Sequence, residues 1–169
     1  MHCETTKDKA ATWKESWRTL ERYYSEGLIM SIGVSNFDID LLNELKDMAT
    51  VMPHVVQNWA QPGDLDLAVR QFCKEHHILY QPYASMRNIR DLSSETRTTL
   101  QSIARQHGKS EYATTLRFFL QTGAAMIPRS SKSENLVKNI NTFDWRLSDE
   151  DMQRLGWTIQ RNEAFSADL

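Results

Sequence analysis

Apolar residues recur along much of this chain at helical spacing, and turn or capping residues mark where each segment begins and ends. In the first segment they lie three or four positions apart: Trp13, Trp17, Leu20 and Tyr24. Thr12 and Glu15 have the spacing of a capping box, and Gly27 supplies a residue that tolerates the left-handed backbone at a helix end. The same reasoning predicts further helices beginning at Asp38, about Leu65, Ser94, Ser110, Ser133 and Ser148.

Short apolar runs lie between the helical segments and predict strands. Segment 28–34 is too short and too uniformly apolar for a surface helix, and fits a strand covered on both faces. Further strands are predicted at 55–58, 78–83 and 124–127. Because long helical connections separate them, we expect parallel strands with right-handed crossovers. Four strands suit either a doubly wound sheet or part of an eight-stranded barrel, and periodicity does not choose between them.

Polar residues follow the apolar runs at once, where each predicted strand ends. These strand ends are Ser35-Asn36, Gln57-Asn58, Gln81-Pro82-Tyr83 and Arg129-Ser130. Side chains at the carboxyl ends of parallel strands form the sites of α/β enzymes. The recurrence therefore predicts an enzyme fold.

Composition narrows the classes of function. The 169 residues suit one domain, and 20 basic against 22 acidic residues give no electrostatic footprint for nucleic acid or an anionic membrane. No apolar run approaches the ~18 residues of a membrane span. Cys3 and Cys73 cannot form a disulfide framework, so we expect a soluble protein of the reducing cytoplasm. The histidines beyond position 50 lack metal-ligand spacing, and no metal site is predicted: His54, His76, His77 and His107.

The ordered set of strand ends resembles the second half of an aldo-keto reductase. The segments that carry the likeness are Ile32-Gly33-Val34-Ser35-Asn36-Phe37, Val56-Gln57-Asn58, Tyr80-Gln81-Pro82-Tyr83-Ala84-Ser85 and Ile127-Pro128-Arg129-Ser130-Ser131. With the C-terminal Phe143-Asp144-Trp145, the likeness runs from about residue 13 to residue 156. It implies an α/β fold that is a partial (β/α)8 TIM barrel, with about four parallel strands and flanking helices.

The resemblance implies an NADP(H)-dependent oxidoreductase of small-molecule carbonyl or alcohol substrates. It assigns Ser35, Asn36 and Gln57 to the nicotinamide carboxamide, and Tyr83 to stacking on the nicotinamide ring. The chemistry agrees, because hydroxyl and carboxamide groups supply the donors and acceptors that an amide needs. A tyrosine face is a flat apolar platform.

Three further residues match the adenosine end of the cofactor site. Arg129 stands where the family keeps a basic residue for the 2′-phosphate, and guanidinium suits bidentate phosphate binding. Ser130 and Asn139 match positions near that phosphate and the adenine. Asn135 stands where many members place a second arginine. We expect NADP(H) as the cofactor, with an affinity that this change would weaken or abolish.

The family's catalytic groups are, by the same resemblance, a tyrosine acid tuned by a lysine and an aspartate, and a histidine that orients the carbonyl. Nothing in this sequence corresponds to the first three. Met1-His2-Cys3 resembles the end of the fourth barrel strand, which makes His2 the candidate histidine. General acid catalysis typically contributes about 10²–10⁴-fold. We therefore expect the chain to be inactive alone.

The whole chain, residues 1–169, is interpreted as one NADP-dependent oxidoreductase-type domain truncated at its N-terminus. Residues 1–11 would be the remnant of the fourth-strand end and its loop. Half a barrel leaves two free strand edges, so we expect self-association, pairing with a chain that carries the other half, or aggregation. The alternative hypothesis is a non-catalytic module that binds nucleotides or other proteins.

Overall fold

The computed structural model describes residues 12–86 and 89–157, in which parallel strands alternate with helices. The strands are β1 (Gly33–Ser35), β2 (Val55–Trp59) and β3 (Leu79–Tyr83). The α-helices are α1 (Trp13–Ser25), α2 (Ile39–Met48), α3 (Leu67–Glu75), α4 (Ser94–Gln106), α5 (Glu111–Gln121), α6 (Ser133–Ile140) and α7 (Asp149–Arg154). Short 3₁₀ helices span Ile89–Asp91 and Asn141–Asp144.

Four of the helices begin at capping residues that the sequence predicts. The Thr12 hydroxyl accepts a hydrogen bond from the Glu15 amide, and the Glu15 carboxylate accepts one from the Thr12 amide at 2.7 Å. Asp38, Ser110 and Ser148 likewise accept from amides in the first turns of α2, α5 and α7. These bonds satisfy amide hydrogens that the helix itself leaves unpaired.

The described residues divide into two compact units, and the first comprises residues 12–58 and 66–80. Its strands β1 and β2 pair in parallel, with Gly33 opposite Val55 and Ser35 opposite Gln57. The Leu79 amide donates to the His54 carbonyl at 2.9 Å, and the sheet order is β1-β2-β3. Its buried side chains include Trp17, Leu42, Leu45, Val56, Val69, Phe72 and Cys73.

The second unit comprises residues 59–65, 81–86 and 89–157. Helices α4 and α5 pack on each other. Its fully or almost fully buried apolar side chains include Leu100, Ile103, Leu116, Phe118, Phe119, Leu147, Met152 and Leu155. These side chains form the apolar core of the unit.

The predicted strand 28–34 is wrong in its extent. Only Gly33–Ser35 is a strand, and Leu28 and Met30 are 68% and 91% exposed instead of covered. The reason is local, because the Leu28 amide donates to the carbonyl of Tyr23 at 3.0 Å and completes the end of α1. This segment therefore follows the helix stop at Gly27, and β1 lies at one edge of the described sheet.

The strand predicted at 124–127 is not formed either. Within the part of the chain that the structure describes, the sheet has three strands, and segment 124–127 joins none of them. The Ala124 amide instead donates to the Phe119 carbonyl at 3.2 Å, in the turn that ends α5. An apolar run becomes a strand only where a neighbouring backbone pairs with it.

Candidate functional site

Strands β1 and β2 approach each other closely at the start of their pairing. A Cβ atom on Gly33 would lie 2.5 Å from the Val55 carbonyl oxygen, which is far inside normal contact. Glycine therefore allows this approach, and the two strands then run side by side to Ser35 and Gln57.

The structure brings together the three residues that the family resemblance assigns to the nicotinamide carboxamide. Ser35 pairs with Gln57 in register, and the Asn36 amide donates to the Gln57 carbonyl at 3.1 Å. Asn36 has φ of 61°, in the left-handed region that asparagine tolerates better than most residues. Ser35 and Gln57 are half-buried, whereas Asn36 is exposed. Hydroxyl and amide groups are thus grouped at the carboxyl ends of two parallel strands.

A second asparagine binds the chain directly after this turn. The Asn58 Oδ1 accepts a hydrogen bond from the Phe37 amide at 3.2 Å, and Asn58 Nδ2 donates to the Phe37 carbonyl at 2.8 Å. Nδ2 also donates to Asp66 Oδ2 at 2.9 Å. The sequence marks Asn58 only as a strand-end residue, and nothing in the sequence points to Asp66.

Asp66 connects the asparagine to a buried pair. Its Oδ2 also accepts from the Tyr80 hydroxyl at 2.9 Å, and the Arg70 guanidinium lies over the Tyr80 ring, 5.0 Å from its centre. Burial lowers the pKa of Arg70 to about 10, against the opposing influence of Tyr80 and Asp66. Burial and the neighbouring Asp66 carboxylate raise the pKa of Tyr80. Near neutral pH Arg70 is therefore a buried cation and Tyr80 a neutral donor.

The second unit contains a cavity of about 410 Å³. Its walls include Tyr83, Tyr112 and Arg129. Arg129 is exposed, so its guanidinium is accessible to a ligand at the cavity mouth. An aromatic face and a guanidinium in one cavity can bind a planar ring and an anionic group.

The remaining predicted residues of this unit lie outside the lining of that cavity. Ser130 follows Arg129, and its hydroxyl oxygen accepts from the Lys132 amide at 3.1 Å. Asn139 is half-buried on α6. His2 lies outside the described residues.

The described residues hold no group of three side chains suited to a metal ion, and none of their helices is both long and apolar enough to cross a membrane. The second unit also contains a larger cavity of about 990 Å³. Met86 and Tyr112 line both this cavity and the cavity of about 410 Å³.

Strand–helix alternation with hydroxyl and amide groups at the strand ends is typical of α/β barrels. Solved structures of this class superpose on the chain. An aldo/keto reductase from Brucella melitensis superposes with a TM-score of 0.76 at 29% identity, over 85% of this chain and 54% of that chain. The NADPH complex of the aldo-keto reductase AKR2E5 superposes with a TM-score of 0.76 at 25% identity, over 88% of this chain and 48% of that chain.

The sequence model of the aldo/keto reductase family matches residues 2–157, and the chain belongs to that family. The glyoxal reductase of Bacillus subtilis (strain 168) is 36% identical over 149 residues, which is 88% of this chain and 52% of that protein. The chain thus spans about half the length of the curated relatives it matches. The predicted family and the predicted partial barrel fold are confirmed.

Proposed function

We propose that this chain is the NADP(H)-binding half of an aldo-keto reductase-type oxidoreductase that interconverts small carbonyl compounds and alcohols. The observation that carries the proposal is the pairing of Ser35 with Gln57 beside the Asn36 turn. It gathers donors and acceptors at adjacent strand ends, as an amide ligand requires. Membership of the family and the NADPH complex of a structural relative support the choice of cofactor.

The residues present fit the nicotinamide end of NADP(H). Ser35, Asn36 and Gln57 would bind the carboxamide, and Tyr83 would lie against the ring face. When bound, NADPH supplies the hydride for carbonyl reduction. The role of this chain is to orient the ring and to shield one of its faces from water.

At the adenosine end, Arg129 would pair with the 2′-phosphate, with Ser130 beside it and Asn139 near the adenine. The exposed position of Arg129 leaves its charge partly screened by water, and Asn135 provides no second cation. We therefore propose a weaker affinity for NADPH than a two-arginine site would give.

Turnover also needs a proton donor at the developing alkoxide. The family resemblance assigns to this chain only the carbonyl-orienting His2 and no general acid. We propose that residues 1–169 form one domain, with residues 1–11 corresponding to the end of the fourth barrel strand, and that the chain alone is inactive. The free, buried thiol of Cys73 suits the reducing cytoplasm.

The edge of β1 supports a second proposal, that the chain associates with another chain. Leu28 and Met30 are exposed large apolar side chains in the segment that precedes β1. Exposed apolar groups beside an unpaired strand edge favour association with another strand. We propose that this edge pairs with a chain carrying the other barrel half or with a second copy. Without such a partner, the protein would act as a nucleotide-binding or interaction module.

Titration of the purified chain with NADPH, followed by quenching of tryptophan fluorescence, tests the cofactor site. We expect saturable quenching that Gln57→Leu weakens and that the exposed-site control Gln71→Leu leaves unchanged. No saturable quenching up to millimolar NADPH would overturn the cofactor proposal. Carbonyl-dependent NADPH oxidation by the chain alone, lost in Tyr83→Ala, would contradict its inactivity.

Light scattering tests the assembly proposal. We expect a dimer or larger species at micromolar concentration, and a shift toward monomer when Met30 is changed to Lys. The matched control Leu67→Lys places the same charge at another exposed apolar position of the first unit. A wild-type chain that stays monomeric would contradict self-association.

A further inference from the structure

The polar cluster in the first unit extends from the Asn36 turn into the interior. Beyond Ser35 the β1–β2 pairing ends, because Asn36 takes the left-handed conformation. Its amide still donates to the Gln57 carbonyl, but the next residue, Phe37, has left the strand. An amide and a carbonyl that leave a sheet in a part-buried region need new partners.

The Asn58 side chain supplies both partners. It accepts from the Phe37 amide at 3.2 Å and donates to the Phe37 carbonyl at 2.8 Å, so a carboxamide takes the place of a strand backbone. Asn58 is buried, with 7% of its surface exposed. Its side chain therefore continues the ladder for one residue past the turn and fixes Asn36 between two bonded residues.

Asp66 determines which way the Asn58 amide points. Because Asp66 Oδ2 can only accept, the atom of Asn58 that faces it must be the nitrogen. Asp66 begins α3 with φ of 53° and makes no side-chain cap of its own helix. Its carboxylate is committed instead to Asn58 and to the hydroxyl of Tyr80, with the Arg70 cation nearby. A left-handed backbone at a half-buried carboxylate with no capping role is typical of a position that supports a site.

From this geometry we propose that Asn58 is a positioning residue for the nicotinamide carboxamide site, and that Asp66 holds its amide in the working orientation. The inference rests on the proposed function, because Asn58 acts through Ser35 and Asn36 and does not itself touch the cofactor. We expect its effect at the nicotinamide end, because its bonds hold the backbone of Phe37, the residue directly after Asn36.

Two fragments of the cofactor separate positioning from general stability. Reduced nicotinamide mononucleotide reports on the carboxamide site, and adenosine 2′,5′-bisphosphate reports on Arg129. We expect Asn58→Leu, which keeps the volume but removes three hydrogen bonds, to weaken binding of the first fragment about tenfold. Binding of the second fragment should stay within about twofold. The milder Tyr80→Phe, which removes one bond to Asp66, should weaken the first fragment about twofold to threefold.

Val69→Ala is the matched control, because it truncates a buried side chain of α3 outside the hydrogen-bonded cluster. It should lower thermal stability and leave both fragment affinities unchanged. Equal losses for both fragments in Asn58→Leu, or an unchanged affinity for the nicotinamide fragment, would overturn the positioning role.

Amide hydrogen exchange separates failure of this inference from failure of the proposed function. Wild-type protein that binds neither fragment would overturn the proposed function. In that case exchange at the Phe37 amide still tests whether Asn58 holds the backbone of Phe37. Protection in the wild type that is lost in Asn58→Leu, with α5 amides unchanged, supports this role of Asn58. Equal protection in both proteins overturns it.

Discussion

His107 Nε2 lies 2.9 Å from Asp151 Oδ2, and this contact joins the residue that ends α4 to the first turn of α7. Asp151 is 2% exposed and completes a capping box, in which it also accepts from the Ser148 amide and hydroxyl. Burial alone would raise the pKa of Asp151, but the hydrogen bonds from His107 and Ser148 outweigh burial and lower it. The pair belongs to the packing of the second unit and takes no part in the proposed cofactor site.

The Asp151 carboxylate should make the free energy of unfolding depend on pH in the acid range. Because its pKa is lower in the folded chain than in the unfolded chain, its contribution is present above about pH 4 and is lost as pH falls through the folded value. We expect Asp151→Asn to reduce the free energy of unfolding near neutral pH and to flatten its decline below pH 4. Urea denaturation at several pH values measures both effects.

Asp149→Asn is the control, since this exposed carboxylate lies in the same first turn of α7. Its pH profile should follow the wild type. A wild-type profile in Asp151→Asn would contradict a folded-state role for this carboxylate.

Gly33→Ala should destabilise the first unit. The new Cβ would meet the Val55 carbonyl oxygen at 2.5 Å, and neither backbone can move without disturbing the strand pairing. Overpacking of this kind typically costs about 1–3 kcal/mol, and chemical denaturation would measure it. Ser31→Ala, at an exposed position two residues earlier, should change stability little. Unchanged stability of Gly33→Ala would contradict the need for glycine at this close approach of β1 and β2.

Glu21 should stabilise the loop between α2 and β2. Its carboxylate is almost buried and accepts from the Thr50 amide at 2.6 Å and the Val51 amide at 2.9 Å, and Arg18 pairs with it. Glu21→Ala leaves these two amides without their acceptor, which we expect to cost about 1–3 kcal/mol in thermal or urea unfolding.

Exposed Glu26 is the matched control. Its contact with Arg22 is long, at 3.9 Å, and it is screened by solvent. Glu26→Ala should stay close to wild-type stability. Equal losses of stability in Glu21→Ala and Glu26→Ala would contradict a stabilising role for the buried carboxylate of Glu21.

Cys73 should resist alkylation in the folded protein. It is 1% exposed, and burial, together with the Asp66 carboxylate, raises its pKa to about 12, so almost no thiolate is present near pH 8. Mass spectrometry of a Cys3→Ser variant treated with iodoacetamide should show labelling only after urea is added. Rapid labelling without urea would mean that the first unit opens readily.

Asn135→Arg should strengthen binding of NADPH, if Arg129 contacts the 2′-phosphate as proposed. A second guanidinium near that phosphate should tighten NADPH about tenfold and leave NADH unchanged, since NADH lacks the 2′-phosphate. Asn141→Arg adds the same charge at an exposed position beyond α6 and controls for general attraction. Equal gains for NADPH and NADH would place the phosphate elsewhere.

Four helix starts and the family could be predicted from the sequence alone. Thr12, Asp38, Ser110 and Ser148 accept from amides three residues away, so their capping roles can be read from neighbouring residues alone. The strand-end motifs identified the family because their order and spacing are specific as a set, and the match over residues 2–157 confirms this.

The extent of the strands and the support of the Asn36 turn depend on tertiary contacts. Segments 28–34 and 124–127 are apolar enough to be strands, yet the first became one only at Gly33–Ser35, where β2 pairs with it. The bonds of Asn58 reach back 21 residues to Phe37 and forward 8 residues to Asp66. Such contacts depend on how distant segments meet in space, and no local pattern of residues records them.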